Sequence, residues 1–556
     1  MKTIIIGGVA GGASAAARLR RLDEAAEIIV LERGEYVSFA NCGLPYYIGG
    51  VITNQNHLTL QTPESFRARF HIDVRVNSEA VKINPEVKTV TVQNLKSGES
   101  YEESYDNLIL SPGAEPIKPN INGINNDFVF TLRNIPDTLK IKEYIKSAMP
   151  KSAVVVGGGY IGVEMAENLK EAGLEVSIVE LSGHLIATLD FDMAADVHRY
   201  IKSKGIHLYL NNGVKAISEH TVILQNGEIH ADMVILSVGV RPETKLANEC
   251  GIKTNQRGSI VVDQNMKTNI PHIYAVGDAV EAEDFITKFP AFIPLAGPAN
   301  KQGRVAADNI AGLSSEYAGT QGSAVLKLFD MTVATTGINE KSAREAGIDY
   351  DKTYIYSGSH ASYYPSASNM LIKALWNKQT LKILGVQIVG FDGVDKRMDV
   401  LATAIRFGAK ITDLAKLELC YAPPFGSAKD PVNMLGFVAE NIITEKVKQF
   451  FWDDVENLPR DGSVTLLDVR TATEVQRGKI NGFINIPLNS LREHISKIPK
   501  DKPVYVHCHS GLRSYIACRI LSGNGYECFN LAGGWRLYES AINEKTVPEY
   551  ICTECK

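Results

Sequence analysis

The chain has 556 residues, of which 45% are hydrophobic and 22% are charged, and its formal net charge is −5. This length predicts about three to five domains with several hydrophobic cores, and the composition is that of an ordinary globular protein. The small negative charge argues against nucleic acid or an acidic membrane as a partner, and eight cysteines are too few for a disulfide scaffold and indicate reduced cytoplasmic thiols.

The N-terminal segment predicts a β-α-β unit. Residues 3–6 (TIII) indicate a buried first strand rather than a signal peptide, and no run in the chain approaches the ~18 apolar residues of a membrane span. A glycine-rich turn at 7–12, an alanine-rich helix and a second strand that ends at Glu32 follow. Glycines at such a turn let the backbone approach a pyrophosphate, and the acid accepts hydrogen bonds from ribose hydroxyls. Val9 stands where the middle glycine of this motif is expected, which weakens the first motif in isolation.

The same pattern repeats after residue 150 with its motif intact. A strand at 153–156 leads to Gly157, Gly159 and Gly162, then to a helix and to a strand that ends at Glu180. This internal duplication predicts two dinucleotide-binding domains. An acid at Glu180 repels a 2′-phosphate and favours NADH over NADPH, although neighbouring basic residues could still accommodate NADPH.

The rest of the chain carries fewer local signals. Residues 268–278 end in a Gly-Asp pair and return to the first domain. From 321 to 440, strands and helices mix without a nucleotide motif, and residues 440–454 indicate a helix or a linker. A small α/β domain begins near residue 464.

Cys42 is the most informative single residue. It lies ten residues after Glu32 in the segment 38–45 (SFANCGLP), and no Cys-x-x-Cys or Cys-x4-Cys partner accompanies it. A redox protein with one thiol at this place is expected to store its disulfide with a small thiol outside the chain. Cys508, in residues 507–513 (HCHSGLR), is a second and differently presented thiol, so we expect sulfur chemistry in two places.

The order of these motifs resembles the pyridine nucleotide-disulfide oxidoreductases over about residues 1–440. The segment around Cys42 is similar to the single-cysteine branch of coenzyme A disulfide reductases, NADH oxidases and NADH peroxidases, which are FAD-containing homodimers. The resemblance implies an α/β protein with two Rossmann-like domains and an α+β dimerisation domain. A linker and a C-terminal rhodanese-like α/β domain complete the chain. The expected boundaries are 1–112 with 250–320 for the FAD-binding domain, 113–249 for the NAD-binding domain, 321–440 for the dimerisation domain, 441–454 for the linker and 455–556 for the rhodanese domain.

The same resemblance implies a set of contacts to FAD and to NADH, with NADPH possible in place of NADH. Asp278 is expected to contact FAD, and Cys42 is expected to lie beside the flavin ring. No metal site is predicted. The expected cofactor-binding residues are Gly7, Gly8, Ala10, Gly11, Gly12, Glu32, Arg33, Ser111, Pro112, Gly113, Gly157, Gly159, Tyr160, Ile161, Gly162, Glu180, Gly239, Gly277, Asp278, Pro294, Leu295 and Ala296.

Two phrases favour the coenzyme A disulfide reductases within this branch. Residues 359–365 (SHASYYP) and 421–426 (YAPPFG) each supply a tyrosine that in the family reaches the thiol site of the partner subunit. These map to Tyr363, with Tyr364 as the rival, and to Tyr421. A phenol stabilises a leaving thiolate or protonates it. The alternative is that the tyrosines only pack in the dimer interface.

Several residues near the first turn are expected to bind coenzyme A. Arg18 and Arg21 share a helical face and could hold its phosphates. For these two a ligand role is favoured over the alternative that cations simply suit a helix C-terminus, and for Arg20 both interpretations stay open. The expected coenzyme A contacts are Ser14, Arg18, Arg21, Ser38 and Asn41.

Residues from about 455 to 556 resemble a single-domain rhodanese, through the segments 467–470 (LDVR), 508–513 and 531–535 (LAGGW). A loop between a strand and a helix points several backbone N–H groups inward. Together with Arg513, such a loop stabilises the thiolate of Cys508 and a terminal persulfide. The six-residue Cys-to-Arg loop suits sulfur better than the larger phosphate of a Cys-x5-Arg phosphatase. The alternative is a catalytically inactive regulatory domain.

The other cysteines carry weaker signals. Cys552 and Cys555 form one Cys-x-x-Cys, which falls short of the four ligands of a structural zinc site. They form either a resolving dithiol that accepts a persulfide or an exposed tail, and the tail is slightly favoured. Buried, apolar-type cysteines are expected at the positions without a motif, which are Cys250, Cys420, Cys518 and Cys528.

Motifs and resemblance together predict a cytoplasmic, homodimeric enzyme with a small-molecule thiol, disulfide or persulfide substrate and no nucleic acid or membrane partner. The expected reaction is the FAD- and NADH-dependent reduction of coenzyme A persulfide, polysulfide or disulfide through Cys42. Cys508 would handle sulfane sulfur, because tethering raises the local concentration of the sulfur carrier. One alternative is an NADH oxidase that reduces oxygen, although oxidases carry a histidine in the first glycine turn where this chain has Ala10. The other is a sulfane-sulfur carrier or sensor.

Overall fold

A computed structural model describes residues 1–545, which form two compact units. The first unit contains Met1–Leu181 and Ile206–Gly322, and the second contains Ser182–Gly205 and the chain from Ser323 onward. Within the described residues, every helix is too short or too polar to cross a lipid bilayer. The cysteine pair at 552 and 555 lies outside the described residues.

Strands and helices alternate along most of the chain. The strands are β1 Lys2–Ile6, β2 Glu27–Leu31, β3 Asp73–Arg75, β4 Ser78–Asn84, β5 Thr89–Asn94, β6 Ser100–Ser104, β7 Asn107–Leu110, β8 Ala114–Pro116, β9 Val129–Thr131, β10 Ser152–Val156, β11 Glu175–Val179, β12 Ile206–Tyr209, β13 Val214–Ser218, β14 Thr221–Leu224, β15 Glu228–His230, β16 Met233–Leu236, β17 Val240–Pro242, β18 Ile273–Ala275, β19 Ala282–Glu283, β20 Pro290–Ala291, β21 Ala324–Leu328, β22 Met331–Gly337, β23 Tyr350–Gly358, β24 Asn369–Asn377, β25 Ile383–Gly390, β26 Lys448–Phe450, β27 Thr465–Asp468, β28 Ile484–Asn485, β29 Val504–His507 and β30 Cys528–Leu531. The helices are α1 Ala10–Leu22, α2 Leu44–Ile48, α3 Pro63–Phe70, α4 Ile135–Ala148, α5 Tyr160–Glu171, α6 Phe191–Ser203, α7 Lys245–Glu249, α8 Ala296–Ile310, α9 Glu340–Glu345, α10 Val394–Arg406, α11 Pro431–Ile443, α12 Ala472–Gln476, α13 Leu491–His494, α14 Leu512–Gly523 and α15 Gly534–Lys545.

The first sheet of the first unit is parallel, with the strand order β18-β7-β1-β2-β3. Its strands are almost continuously apolar because both faces are buried. Ile5, Val30 and Ile109 belong to the core on one face, and Ile4 and Leu31 belong to the core on the other. The glycine-rich turn follows β1, the central strand, and leads directly into α1.

The second parallel sheet repeats this arrangement in the order β12-β11-β10-β16-β9. Its central strand β10 again ends in a glycine turn and is followed by α5. The duplication predicted from the two motifs is therefore present in the structure. Two small antiparallel sheets, β4-β5-β6 and β13-β14-β15, accompany the parallel sheets in this unit.

The second unit contains one antiparallel and one parallel sheet. The antiparallel sheet has the order β21-β22-β25-β24-β23. The parallel sheet has the order β26-β30-β29-β27-β28 and carries Cys508 directly after its central strand β29. Its edge strand β26 falls within the segment 441–454, which the sequence indicates as a linker. The strand has only three residues, and so short a run has no recognisable strand pattern in the sequence.

A buried cluster of charges organises the second unit. Lys373 of β24 is fully buried, and its Nζ lies 2.9 Å from Asp190, 3.0 Å from Asp192 and 2.5 Å from Glu340. Burial lowers the pKa of Lys373, but the three carboxylates outweigh it and raise this pKa above its ordinary value. The Trp452 indole donates to Asp192 over 3.3 Å. The cluster therefore ties α6, α9, β24 and the segment after β26 together.

Helix α6 also holds the last described helix, α15. The Ser540 hydroxyl donates to Asp196 over 2.6 Å, and Lys202 donates to Glu544 over 2.8 Å. The ring of the fully buried His198 lies 3.3 Å from the same Glu544 carboxylate. These contacts attach α15, and with it the domain built on the parallel sheet of the second unit, to α6.

The charge cluster generates a stability prediction. Lys373→Met leaves three buried carboxylates without their shared cation, and we expect it to lower the free energy of unfolding by about 3–5 kcal/mol. Urea unfolding followed by tryptophan fluorescence measures this change, because all three tryptophans of the chain, Trp376, Trp452 and Trp535, lie in the second unit.

Lys378→Met is the matched control. Lys378 forms a half-exposed ion pair with Asp349 over 3.0 Å, so its loss should cost less than about 1 kcal/mol. Equal unfolding midpoints for the two variants would contradict the stabilising role of the cluster.

Candidate active sites

The first glycine turn has the geometry that a bound dinucleotide requires. Gly7 adopts φ +96°, and a Cβ there would lie 2.1 Å from the Ser111 carbonyl oxygen. Glu32 accepts a hydrogen bond from the Gly8 amide over 3.0 Å, which places the acid beside the turn. Val9 has φ −100°, so a side chain is tolerated where the middle glycine was expected. No side chain caps the start of α1, and its first amides are oriented for a phosphate.

The second turn has the same construction. Gly157 adopts φ +107° against the Ser237 carbonyl, and Glu180 accepts from the Gly158 amide over 2.7 Å. A Cβ on Gly159 would meet nothing within 4 Å, so the space above this turn is open. Both turns therefore fit the pyrophosphates of the two predicted cofactors.

Other predicted cofactor residues gather around the first turn. A Cβ on Gly11 would lie 3.0 Å from the Ser111 hydroxyl, and one on Gly277 would lie 3.7 Å from the same atom. Gln302, which the sequence does not single out, accepts from the Gly277 amide over 2.8 Å. Leu295 precedes α8 and Ala296 begins it.

Three more expected cofactor contacts lie outside the two glycine turns. Arg33 forms a bidentate ion pair with Glu243, one bond being 2.9 Å long. Glu243 also accepts from Arg133 over 2.6 Å. Gly113 and Gly239 adopt φ values of +74° and +104° in the connections that follow β7 and β16.

Cys42 lies in a short 3-10 turn at Asn41–Gly43 that leads into α2, and it is exposed. Despite this exposure, desolvation by the surrounding atoms, together with the charges of Glu164 and Asp278, raises the pKa of its thiol. The resting thiol is therefore favoured over the thiolate in the free protein. A disulfide with a small thiol removes this unfavourable charge.

Glu164, in the first turns of α5, is a site residue that the sequence reasoning missed. Burial raises its pKa to about 7, and neighbouring Glu167 adds to the rise. The Tyr46 hydroxyl donates to Glu164 over 3.3 Å. A carboxyl group that titrates near neutral pH beside a thiol is suited to hold or release a proton. No local motif links Glu164 to Cys42, because the two are brought together only by the fold.

The expected coenzyme A residues lie along α1 and the Cys42 segment. Ser14 donates to Asn300 over 2.8 Å, and Arg18 donates to Asp308 over 2.6 Å. Arg21 and Asn41 are exposed, and Ser38 adopts the left-handed φ of 47°. Each of these assignments stays a prediction.

Arg20 has a structural role. It is buried, and its guanidinium donates to the carbonyls of Phe70 and His71 over 2.7 and 2.9 Å. It also donates to the carbonyls of Asp23 and Glu24 at the end of α1. These four bonds favour the helix-terminus interpretation for Arg20.

The two predicted tyrosines form a pair in the second unit. The hydroxyls of Tyr363 and Tyr421 lie 2.9 Å apart, and both residues are exposed. The hydrogen bond that Tyr363 shares with Tyr421 raises the pKa of Tyr363, so this phenol stays protonated at neutral pH. Tyr364 instead packs edge-on against His360 at 5.8 Å. Tyr363 is thus better placed than its rival to act together with Tyr421.

The Cys508 loop surrounds a buried sulfur with donors. The Gly511 amide donates to the Cys508 Sγ over 3.1 Å, and the Ser514 hydroxyl donates to it over 3.2 Å. Such bonds stabilise negative charge on sulfur. Arg513 forms a bidentate pair with Glu474 at 2.8 and 2.6 Å. The Glu474 carboxylate therefore partly neutralises the positive charge beside the loop.

Buried polar groups lie at the ends of β27 and β29, next to the start of this loop. Arg470 donates to Asp468 over 2.8 Å and lies 4.6 Å from the Trp535 ring. Burial lowers the pKa of His507 to about 4 despite the Asp468 carboxylate 3.3 Å away, so the ring is neutral near pH 7. The Trp535 amide donates to the Cys508 carbonyl over 2.8 Å. The start of the loop at Cys508 is therefore held in place by the first residues of α15.

The cysteines without motifs occupy varied environments. Cys518 and Cys528 are buried, as expected, and the Cys528 thiol donates to the Cys518 carbonyl over 3.2 Å. Cys250 is half-buried. Cys420 is exposed beside Tyr421, so the expectation of burial is wrong there. Its local sequence is loop-like and provides no apolar partner strand or helix.

Comparison with known proteins agrees with this architecture. Residues 1–303 match the pyridine nucleotide-disulphide oxidoreductase family, residues 323–431 match its dimerisation domain, and residues 451–541 match the rhodanese-like domain. The crystal structure of reduced CoADR-RHD from Bacillus anthracis is 50% identical, covers 98% of each chain and superposes with a TM-score of 0.96.

Two further relatives are similar over most of their length. A NAD-dependent persulfide reductase from A. fulgidus is 37% identical, covers 97% of this chain and 100% of its own, and has a TM-score of 0.91. A coenzyme A disulfide reductase from Staphylococcus aureus is 37% identical over 441 residues, which are 79% of this chain and 100% of the relative. With its two glycine turns and the unpaired thiol of Cys42, the chain belongs to the pyridine nucleotide-disulphide oxidoreductase family and carries a rhodanese-like domain in the same polypeptide.

Proposed function

We propose that this protein uses FAD and NADH to reduce the sulfur–sulfur bond of coenzyme A persulfide, polysulfide or disulfide. The observation that carries the proposal is the unpaired thiol of Cys42, located in the same unit as the two glycine turns. A single thiol cannot close a disulfide within its own turn, so its oxidised partner is a small thiol from solution. The similar coenzyme A disulfide reductase supports the choice of coenzyme A, and the similar persulfide reductase supports a persulfide substrate.

The residues of the two turns hold the cofactors in this proposal. Gly7 and Glu32 take part in binding FAD, and Gly157 and Glu180 take part in binding NADH. FAD, when bound, supplies the two-electron chemistry that connects NADH oxidation to reduction of a disulfide. Glu180 favours NADH, because a 2′-phosphate would be placed against its carboxylate.

Cys42 is the proposed nucleophile. Its thiolate attacks the sulfur of coenzyme A persulfide that is bonded to carbon, which forms the Cys42–coenzyme A disulfide and releases hydrosulfide. With coenzyme A disulfide, the same attack releases coenzyme A thiolate. Two electrons then cleave the mixed disulfide to the Cys42 and coenzyme A thiolates. The overall reaction with the persulfide consumes NADH and one proton and gives NAD⁺, coenzyme A and hydrogen sulfide.

We assign proton transfer at Cys42 and at the leaving thiolate to two different groups. Glu164 holds a proton near pH 7 and can exchange it at Cys42 Sγ. The Tyr363–Tyr421 pair is proposed to donate to a leaving thiolate at a site supplied by the second subunit of a homodimer. The match of residues 323–431 to a dimerisation domain supports that assembly. An exposed phenol pair in one subunit is accessible to such a partner.

The rhodanese-like domain is proposed to move sulfane sulfur. A Cys508 persulfide transfers its outer sulfur to coenzyme A thiolate, which gives coenzyme A persulfide and the Cys508 thiolate. Donors from Gly511 and Ser514 stabilise the sulfur anion that this transfer leaves behind. The presence of this loop favours persulfide or polysulfide over plain coenzyme A disulfide as the natural substrate. We also propose a cytoplasmic location, because the six cysteines within residues 1–545 are all free.

The substrate choice is tested by anaerobic NADH consumption with coenzyme A persulfide and with coenzyme A disulfide on the same purified enzyme. We expect the higher rate with persulfide, with one sulfide released per NADH, and turnover in the ordinary range of about 1–1000 per second. Negligible turnover with both substrates would exclude the coenzyme A assignment. Oxygen consumption equal to NADH loss in air would favour the oxidase, and turnover far below this range would favour a carrier or sensor.

The two thiols have separable roles. Cys42→Ser is expected to lower NADH-dependent reduction of both substrates at least about 1000-fold, because it removes the nucleophile. Cys508→Ser should leave coenzyme A disulfide reduction within about twofold and abolish sulfur transfer from polysulfide to coenzyme A. NADH absorbance and sulfide release measure the two activities. Loss of disulfide reduction in Cys508→Ser would contradict this division.

Glu164 generates a pH prediction. Its carboxylate raises the pKa of Cys42, so Glu164→Gln should lower the midpoint of the pH profile for Cys42 alkylation by roughly half to one pH unit. The measurement uses NADH-reduced enzyme and mass spectrometry of the Cys42 peptide. Glu171→Gln, an exposed position on the same helix, is the control and should not move the midpoint. An upward shift in Glu164→Gln would refute the electrostatic coupling.

A further inference from the structure

A cavity of about 340 Å³ opens in the second unit, lined by residues of α6, the antiparallel sheet and α15. Its volume lies within the lower part of the range of small-molecule sites. Met331, Leu371 and Val389 give it a buried apolar wall. None of the residues assigned to the reductase or rhodanese chemistry lines it.

One end of the cavity carries two guanidinium groups. Arg536 lies 4.5 Å above the Tyr356 ring, and its side chain has no hydrogen-bond acceptor among residues 1–545. Arg199 pairs with Asp196 over 3.2 Å, but its side chain is half-exposed and can turn toward a ligand. Only one carboxylate, Asp196, faces these two cations in the lining. This end is therefore suited to an anion.

A buried hydroxyl without a partner lies next to the same cations. The Tyr356 oxygen is buried and has no hydrogen-bond partner within the described part of the chain. Asp196, Arg536 and Arg199 are close enough to influence its pKa, which burial raises well above the ordinary value. The hydroxyl thus stays a donor at neutral pH. Tyr356 is not part of the cavity lining, so its ring positions Arg536 through the cation–π contact and does not contact a ligand itself.

The remaining lining adds an acceptor and flat surfaces. Asp196 Oδ1 receives bonds from Ser540 and Arg199, whereas Oδ2 receives none from the described residues. The rings of Tyr200 and Phe391 meet edge to face at 5.5 Å, and Phe391 is 42% exposed. A flat group could pack against the aromatic rings, and an N–H donor on it could bond to the free oxygen of Asp196.

We propose that this cavity binds an adenine nucleotide. The phosphate meets Arg536 and Arg199, whose planar groups bind phosphate in a bidentate manner. The adenine lies against Phe391 and Leu371, where aromatic contact favours a base. Its exocyclic amine donates to Asp196. This function goes beyond the proposed reductase reaction and does not depend on it.

The position of Arg536 connects this site to the Cys508 loop. The Arg536 amide donates to the His509 carbonyl over 2.9 Å, one residue from the sulfur-bearing cysteine. A nucleotide held by Arg536 is thereby anchored to the backbone of the rhodanese loop. The nucleotide has two possible sources, the 3′-phosphoadenosine end of coenzyme A or a free adenosine phosphate.

Photolabelling locates the site directly. FAD-loaded enzyme, with Cys42 held as its coenzyme A disulfide and with excess NAD⁺, is irradiated with 8-azidoadenosine 3′,5′-bisphosphate. Labelled peptides are then identified by mass spectrometry. We expect label within residues 191–203, 389–391 or 534–545. Label confined to other segments would overturn the proposal.

Matched variants test the contacts. Arg536→Gln and Phe391→Ala, both at positions reached by solvent, should weaken labelling about 10- to 100-fold. Arg492→Gln and Phe407→Ala, exposed positions outside the cavity, should label as the parent protein does. Parent-level labelling in Arg536→Gln and Phe391→Ala would overturn the proposal.

Competition identifies the source of the nucleotide. Stronger protection by coenzyme A than by adenosine 5′-monophosphate would assign the site to the substrate carrier. Stronger protection by adenosine 5′-monophosphate would assign it to a free nucleotide. Either result supports adenine recognition, and protection by neither contradicts it.

Discussion

The buried ammonium of Lys373 is the interaction on which the second unit depends. Three carboxylates converge on it, and two of them belong to the segment that contains α6. This segment interrupts a Rossmann-type pattern in sequence but belongs to the second unit in space. Once α6 is fixed, it presents Asp196, His198 and Lys202 to α15. The charge cluster therefore fixes the helix to which α15 of the rhodanese-like domain is attached.

The two functional thiols lie in different environments. Cys42 lies near carboxylates that disfavour its thiolate, whereas the Cys508 sulfur accepts hydrogen bonds from Gly511 and Ser514. An enzyme that keeps Cys42 as a mixed disulfide between turnovers avoids the unfavourable anion. A persulfide carrier, in contrast, needs a stabilised sulfur anion at every stage. The difference in environment corresponds to the difference in proposed chemistry.

Local signals could be predicted from sequence, and contacts made by distant segments could not. The glycine turns and the Cys508 loop are contiguous motifs whose geometry follows from a few neighbouring residues. Glu164 approaches Cys42 only because α5 of the second dinucleotide-type domain packs against α2, which follows Cys42. Lys373 lies in an otherwise apolar strand, NMLIKALWN, where nothing local indicates its three partners. Cys420 was expected to be buried because a lone cysteine usually packs in a core, but its loop places it at the surface.

The edge strand β26 has a consequence for the modularity of the fusion. It pairs with β30, although it precedes the segment in which the rhodanese motifs begin. Excising the domain at its first recognisable motif would strip this strand away and expose the hydrogen-bonding edge of β30. A bare edge invites pairing with other chains and aggregation. The rhodanese-like domain thus includes a strand from the segment that connects it to the rest of the chain. Recombination could transfer the domain intact only together with that segment.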